Sequence, residues 1–379
     1  MGGVTSAHDD RVARAMLSYL AEPGDRRIGR LLTRHAAVDV VEMIRSGTSG
    51  LETEERYRVR LASAKPEQHL DRVAEVGGRL LVPDDLEWPR QLDDLGDSAP
   101  WALWVRGTLD LRLTALRSVA VVGARASTRY GERVASQMGS DLAESGWAVV
   151  SGGAFGIDKA AHLGALAAQG LTVAVLACGV DLAYPPSHDA LFARIAADGL
   201  VVSEVPPGSA PHRTRFLVRN RVIAALTRGT VVVEAALRSG ALSTAHEAER
   251  LRRPVMGVPG PVSSEQSRGV HRALRNGALL VTSAAEVVEA VGGIGVDLAP
   301  EPSGRVDPRD ALDPLAARVL DAVPVLRAVT LESVARTAGV TPAETAAALS
   351  LLELSGFVER GPDGWALRRP VGRTSGAPV

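Results

Sequence analysis

The chain has 379 residues, of which 46% are hydrophobic and 23% charged, with a formal net charge of −1. That length and balance suit two or three folded domains and exclude wholesale disorder. One cysteine, Cys178, excludes a disulfide framework and a thiolate-rich zinc site, and the eight scattered histidines form no His-Glu-x-x-His pattern. No apolar run approaches the roughly 18 residues of a membrane span, and the opening MGGVTSAHDDR lacks the basic and apolar regions of a secretory signal. A cytoplasmic protein without a membrane partner is therefore expected. The basic residues are nearly all arginine, Lys65 and Lys159 being the exceptions. A bound polyanion feels the local field rather than the net charge, so the clusters Arg213–Arg221, Arg250–Arg253 and Arg268–Arg275 carry more information than the total.

In chain order, residues 1–80 read as a small helical domain. Val12, Ala15, Met16, Tyr19 and Leu20 recur at helical spacing before Pro23-Gly24, and short helical stretches continue the pattern. Residues 81–117 read as a transition segment, with Trp101 and Trp104 packing on the next domain. From residue 118 the pattern changes. Short Val-rich runs at 118–123, 147–153, 171–179, 200–205, 230–235, 254–260 and 278–282 alternate with helix-patterned stretches. Such alternation predicts an α/β domain over 118–292 with a Rossmann-like, mostly parallel sheet, covered by helices on both faces. Ser283 and Glu286 sit at capping-box spacing before its closing helix. Strand order is not readable. Residues 293–310 are Gly-, Pro- and Asp-rich and read as a linker. Over 311–369, three helices, one opening on Thr341-Pro342-x-Glu344, precede a hairpin turning at Gly361–Gly364; this is a winged-helix arrangement. Residues 370–379 read as a disordered tail.

Open parallel sheets bind ligands at the carboxyl ends of their strands. Behind the first strand stand Gly123-Ala124-Arg125-Ala126-Ser127; behind the second, Ser151-Gly152-Gly153-Ala154-Phe155-Gly156. The glycines permit a tight turn and close backbone approach, and a helix start supplies unpaired N–H donors, so this turn is a candidate phosphate cradle. Ser239-Gly240 before a later helix is a second candidate, and Arg125, Arg219 and Arg221 add guanidinium forks suited to phosphate oxygens. Several such spots along one sheet edge suggest an extended polyphosphate. Phe155 reads as either a core plug or a base-stacking platform, and Tyr184 shares that ambiguity. Asp158 and His162, at i,i+4 spacing, suggest a helix-face hydrogen bond more than a metal pair, since no third ligand stands near. Cys178 reads as a small core residue. No cofactor is expected.

These motifs resemble the DNA-processing protein A (DprA, or Smf) family. The resemblance rests on VGARASTRYG, SGGAFGIDKAAH, GVDLAYPPSH, SEVPPG, RFLVRNRVIA, VVEAALRSGALSTA and VPGPV, in that order. It implies a Rossmann-like domain that binds single-stranded DNA, protects incoming strands and loads RecA during natural transformation, displacing single-strand-binding protein. It also implies a homodimer, a helix-hairpin-helix-like N-terminal domain and a winged-helix tail. By position, it implies DNA-binding roles for Arg125 and Ser127 in the first motif; for Ser151, Gly152, Gly153 and Gly156 in the glycine loop; for Arg219, Asn220 and Arg221; and for Glu234, Ser239, Gly240 and Thr244. Leu217 stands where a proline is usual in the family. No nucleophile–base pair emerges, so a binding protein and not an enzyme is expected. The alternative is a phosphoribohydrolase using Glu204 and Glu234 at strand ends; a nicotinamide-dependent oxidoreductase lacks its glycine fingerprint. The winged helix carries few basic residues, which favours protein contact or regulation there over DNA binding.

Overall fold

The computed structural model describes residues 7–52, 54–293, 297–300 and 308–368. Residues 294–296 and 301–307 of the expected linker, and the expected tail 370–379, lie outside the described residues. The chain divides into two units, Met1–Pro300 and Glu301–Val379.

The first unit opens with the helices α1 (Ala7–Leu20), α2 (Arg26–Leu32), α3 (Ala37–Ser46), α4 (Glu54–Leu61) and α5 (Pro66–Glu75). The Asp25 side chain caps α2, and Gly47, in the left-handed region, ends α3. Leu17, Leu20, Ile28, Val40 and Ile44 bury one face of these helices against Trp104, Leu176 and Val201 of the neighbouring sheet. The helices therefore share a core with the sheet, because short amphipathic helices need such a face to bury.

Two strands precede the alternating region, β1 (Gly78–Leu81) and β2 (Leu103–Arg106). Then come α6 (Leu111–Leu116), β3 (Ser118–Val122), α7 (Arg129–Glu144), β4 (Ala148–Ser151), α8 (Ile157–Ala167), β5 (Thr172–Leu176), α9 (Asp189–Asp198), β6 (Leu200–Ser203), α10 (Arg213–Leu226), β7 (Thr230–Val232), α11 (Ala241–Arg250), β8 (Val255–Gly257), α12 (Arg268–Arg275), β9 (Leu279–Leu280) and α13 (Ala284–Val291). Among the described residues the sheet has nine strands, in the order β1-β2-β6-β5-β4-β3-β7-β8-β9. Strands β3 to β9 are parallel, as the alternation predicts, and β3 to β6 are buried throughout. The sequence pattern reads 1–80 as helical throughout and predicts no strand in 81–117, yet β1 closes the first stretch and β2 lies in the second. β2 pairs antiparallel with β6, and β1 antiparallel with β2, so residues 78–106 extend the sheet. Each strand is four residues long, too short to announce itself without its partner.

β3 has β4 on one side and β7 on the other: Ala120 pairs with Val150 and with Thr230. The chain runs outward through β4, β5 and β6, then returns to the far side of β3. The carboxyl ends of β3 and β7 thus flank the switch point, where an open sheet leaves a crevice. On one face α7 and α8 touch through glycines. A Cβ on Gly164 would lie 2.0 Å from the Ser136 carbonyl oxygen, so no larger residue fits without separating the helices.

The second unit holds α14 (Pro314–Asp321), α15 (Leu331–Ala338) and α16 (Pro342–Leu354), then β10 (Val358–Gly361) and β11 (Gly364–Leu367). Asp313, Thr330 and Thr341 cap the three helices, Thr341 in a full capping box with Glu344. The strands pair as a hairpin, Trp365 bridges to Val329, and Val319, Val334, Leu349, Leu352 and Val358 form the core. Three helices and a β-ribbon make the winged-helix arrangement that the sequence predicts.

Candidate nucleic-acid interface

At the switch point lies a cleft of about 1000 Å³, walled by the loops after β3 and β7 and by the first half of α10. Of the residues singled out from sequence, Arg125, Arg219, Asn220, Ser239, Gly240 and Thr244 line it. Ser127, Ser151, Gly152, Gly153, Phe155, Gly156, Arg221 and Glu234 do not.

The glycine turn after β4 is not an open cradle. The N–H groups of Gly152 and Ala154 donate to Asp158 Oδ2 at 3.2 and 3.4 Å, so the carboxylate at the start of α8 occupies the donors that a phosphate would need. Arg219 fills the space behind them. Its guanidinium donates to the Gly152 carbonyl at 2.9 Å and to the Val175 carbonyl, and its Nε to Asn220 Oδ1 at 3.2 Å. A Cβ on Gly152 would stand 2.3 Å from that guanidinium. Glycine at this position admits an arginine rather than a ligand. Burial pulls the Arg219 pKa down to about 10 and pushes Asp158 up, while each charge favours the other. Arg219 therefore stays charged at neutral pH, a fixed positive group in the cleft floor.

Arg221 is likewise internal. It forms a two-pronged ion pair with Glu204, Nη2 to Oε1 at 2.7 Å, and its Nε donates to the Ser98 carbonyl at 3.0 Å. Glu234 accepts from the Thr128 backbone N–H at 2.8 Å and hydroxyl at 2.6 Å; that hydroxyl also caps α7. This clamp fixes the loop that carries Arg125. Ser151 donates to the Val121 carbonyl inside the sheet, and Ser127 to Glu132 on α7. Asn220 donates to the Gly240 carbonyl at 3.2 Å, tying α10 to the start of α11. Apart from Asn220, which also lines the cleft, these groups shape it from behind.

Arg125, Arg213 and Arg238 face it and are exposed. None makes an ion pair among the described residues. Arg125 lies with its guanidinium carbon 4.8 Å from the centre of the Phe216 ring, and the Tyr184 ring lies obliquely to Phe216 at 5.5 Å. The ring pre-orients the cation without neutralising it. Phe216, Leu217 and Leu237 give the wall an apolar surface between the charges. Glu265 at the rim is paired with Arg268 at 2.9 Å. The cleft is therefore positive, with aromatic and apolar surface between its cations.

Arg213 belongs to the arginine cluster the sequence marks and Arg238 stands directly before Ser239-Gly240, but neither is among the positions the resemblance implies; Phe216 is signalled by neither. Arg213 carries a legible signal, since it begins a helix after the Pro- and Gly-containing 206–211 loop, where a side chain reaches solvent. Phe155 is 48% exposed and packs edge-on against His188 at 4.8 Å, outside the cleft lining. The helix-face hydrogen bond expected between Asp158 and His162 gives way to other partners: Asp158 accepts from the glycine turn, and His162 Nδ1 meets the Thr172 hydroxyl at 2.7 Å. Cys178 is buried, and burial pushes its thiol up to about 11.

The family model of DNA recombination-mediator protein A matches residues 79–292, and that of the DprA winged helix domain matches 302–364. The putative DNA processing protein DprA of Mycobacterium tuberculosis is 43% identical over 370 residues, 94% of either chain. Protein Smf of Escherichia coli is 39% identical over 300 residues, 76% of this chain and 78% of its own. Among solved structures, DNA processing protein A of Streptococcus pneumoniae superposes with a TM-score of 0.65 at 32% identity, over 75% of this chain and 98% of that one. DNA processing protein A of Helicobacter pylori, solved for its single-stranded DNA binding mode, gives a TM-score of 0.50 at 29% identity, over 55% of this chain and 94% of that one.

Proposed function

Since the chain belongs to the DNA recombination-mediator protein A family, we propose that it binds single-stranded DNA in the switch-point cleft and hands it to RecA. The observation that carries this reading is the set of three exposed arginines, Arg125, Arg213 and Arg238, around an aromatic wall. Guanidinium groups meet phosphates, and the exposed Tyr184 ring accepts unstacked bases of any sequence. The Helicobacter pylori relative's single-stranded DNA binding supports the same choice of ligand. In this reading Ser151, Gly152, Gly153, Gly156, Arg221 and Glu234 position the binding surface and do not touch the strand. The protein acts in the cytoplasm as a homodimer, protects incoming strands during natural transformation, and displaces single-strand-binding protein as RecA loads. Among the described residues no helix is long and apolar enough to cross a membrane.

Binding is favoured over hydrolysis because the carboxylates that a phosphoribohydrolase would use are engaged. Glu204 is paired with Arg221, and Glu234 holds Thr128. Release of free base from AMP by the purified protein would reverse that preference. The test of the main reading is fluorescence anisotropy with labelled oligothymidylate across a salt series. Three phosphate contacts give a slope of log affinity against log salt near −2, and Arg125→Glu should flatten it by about 0.7 while weakening binding roughly tenfold. Wild-type binding by Arg125→Glu would displace the site from this cleft. RecA loading is read by strand exchange on DNA coated with single-strand-binding protein, and the dimer by sedimentation.

A further inference from the structure

The first turn of α10 faces two clefts. Arg213 and Phe216 line the one described above. Arg215 turns instead toward the N-terminal helices, where its Nε and Nη2 hold the Glu22 carboxylate at 2.7 and 3.0 Å. Glu22 stands at the edge of a second cleft, of about 500 Å³, lined by five arginines, Arg26, Arg27, Arg30, Arg56 and Arg60, and by two carboxylates, Glu22 and Asp25. Both carboxylates are already engaged. Asp25 accepts from the Arg27 backbone N–H at 2.9 Å, capping α2, and from the Tyr57 hydroxyl at 2.5 Å. Glu22 is held by Arg215, with Arg60 3.9 Å away. Arg60 donates to the Leu20 carbonyl and Arg30 reaches Asp97 at 3.5 Å, but Arg26 and Arg56 are exposed and make no ion pair among the described residues.

A cleft with this excess of guanidinium groups fits a polyanion. Its junction with the first cleft across one turn of α10 favours a continuous one. We propose that this cleft is a second phosphodiester seat, holding a distal stretch of the single strand that occupies the switch-point cleft. The inference rests on the reading of that first cleft as the DNA site. It makes the N-terminal helices part of the binding track and lengthens the strand each protomer covers.

The experiment uses the full chain as wild type, Arg125→Glu and the double variant Arg26→Ala/Arg56→Ala, with oligothymidylates of about six and about 30 nucleotides. Both alanine substitutions are at exposed positions, and circular dichroism checks that the fold is retained. The double variant should bind the short strand as wild type does. On the long strand its salt slope should be flatter by about 1.4, so that between 50 and 200 mM salt the wild type loses about sevenfold more affinity than the variant. Equal slopes for wild type and double variant on the long strand overturn the inference. So does an equal loss on both lengths. If Arg125→Glu binds the short strand normally, the first-cleft reading fails; if it fails to bind while the double variant is unaffected, the second seat alone is wrong.

Discussion

Replacing Arg221 by alanine separates a structural arginine from a DNA-contacting one. The side chain is 6% exposed and its partner Glu204 10% exposed, so the substitution leaves a carboxylate in the interior without its cation. Breaking such a buried pair costs about 3–5 kcal/mol. The Ser98 carbonyl loses its Nε donor within the same change. For a 300-residue unit that unfolds with about 2.1 cal/mol/K of entropy per residue, this corresponds to a fall in melting midpoint of about 5–8 °C. Arg221→Glu should fare worse, because it sets two carboxylates face to face. The double variant Arg221→Met/Glu204→Gln removes both charges and should recover much of the loss, giving a coupling between the sites. Thermal melts by circular dichroism and urea unfolding read all three variants. A melt of Arg221→Ala within about 1 °C of wild type, together with a loss of oligothymidylate binding as large as that of Arg125→Glu, would refute the assignment and return Arg221 to the DNA surface.

Phe155→Ala decides between plug and platform: a stacking role costs about 1–3 kcal/mol of binding, roughly 5- to 150-fold in affinity, with little change in melting. A lowered melt with unchanged affinity would make Phe155 a packing residue on His188. His162 is held down to about 3 from 6.5, chiefly by burial, with Arg219 and His188 adding repulsion. The unfolded chain therefore takes up a proton near pH 6.5 that the folded chain refuses. Stability is full above that pH and falls as pH drops toward 3, by about 1.4 kcal/mol per unit. His162→Asn keeps a donor for Thr172 and removes the titration, so urea midpoints between pH 6.5 and 4 should fall less steeply than in wild type; parallel slopes would exclude His162 as the source.

The alternation of Val-rich runs with helical stretches determined the parallel sheet, because a strand covered on both faces must be apolar throughout. Local chemistry also determined several helix starts: Ser283 and Thr341 cap as their spacing implies, since a cap is a contact over three residues. β1 and β2 escape a reading of the sequence because what makes them strands is the pairing of β2 with β6, nearly a hundred residues on. The site divides along the same line. Arg125 was legible: it lies just after a strand, at the edge where an open sheet presents its loops. Arg219 and Arg221 lie in one helix and read as phosphate ligands of equal standing. Tertiary structure set one against the Gly152 and Val175 carbonyls and the other against Glu204 and Ser98. An arginine's charge is fixed by its chemistry, but a guanidinium fork fits a carbonyl or carboxylate as well as a phosphate. Which of these it meets depends on groups 17 to 123 residues away, and only the folded chain brings them together.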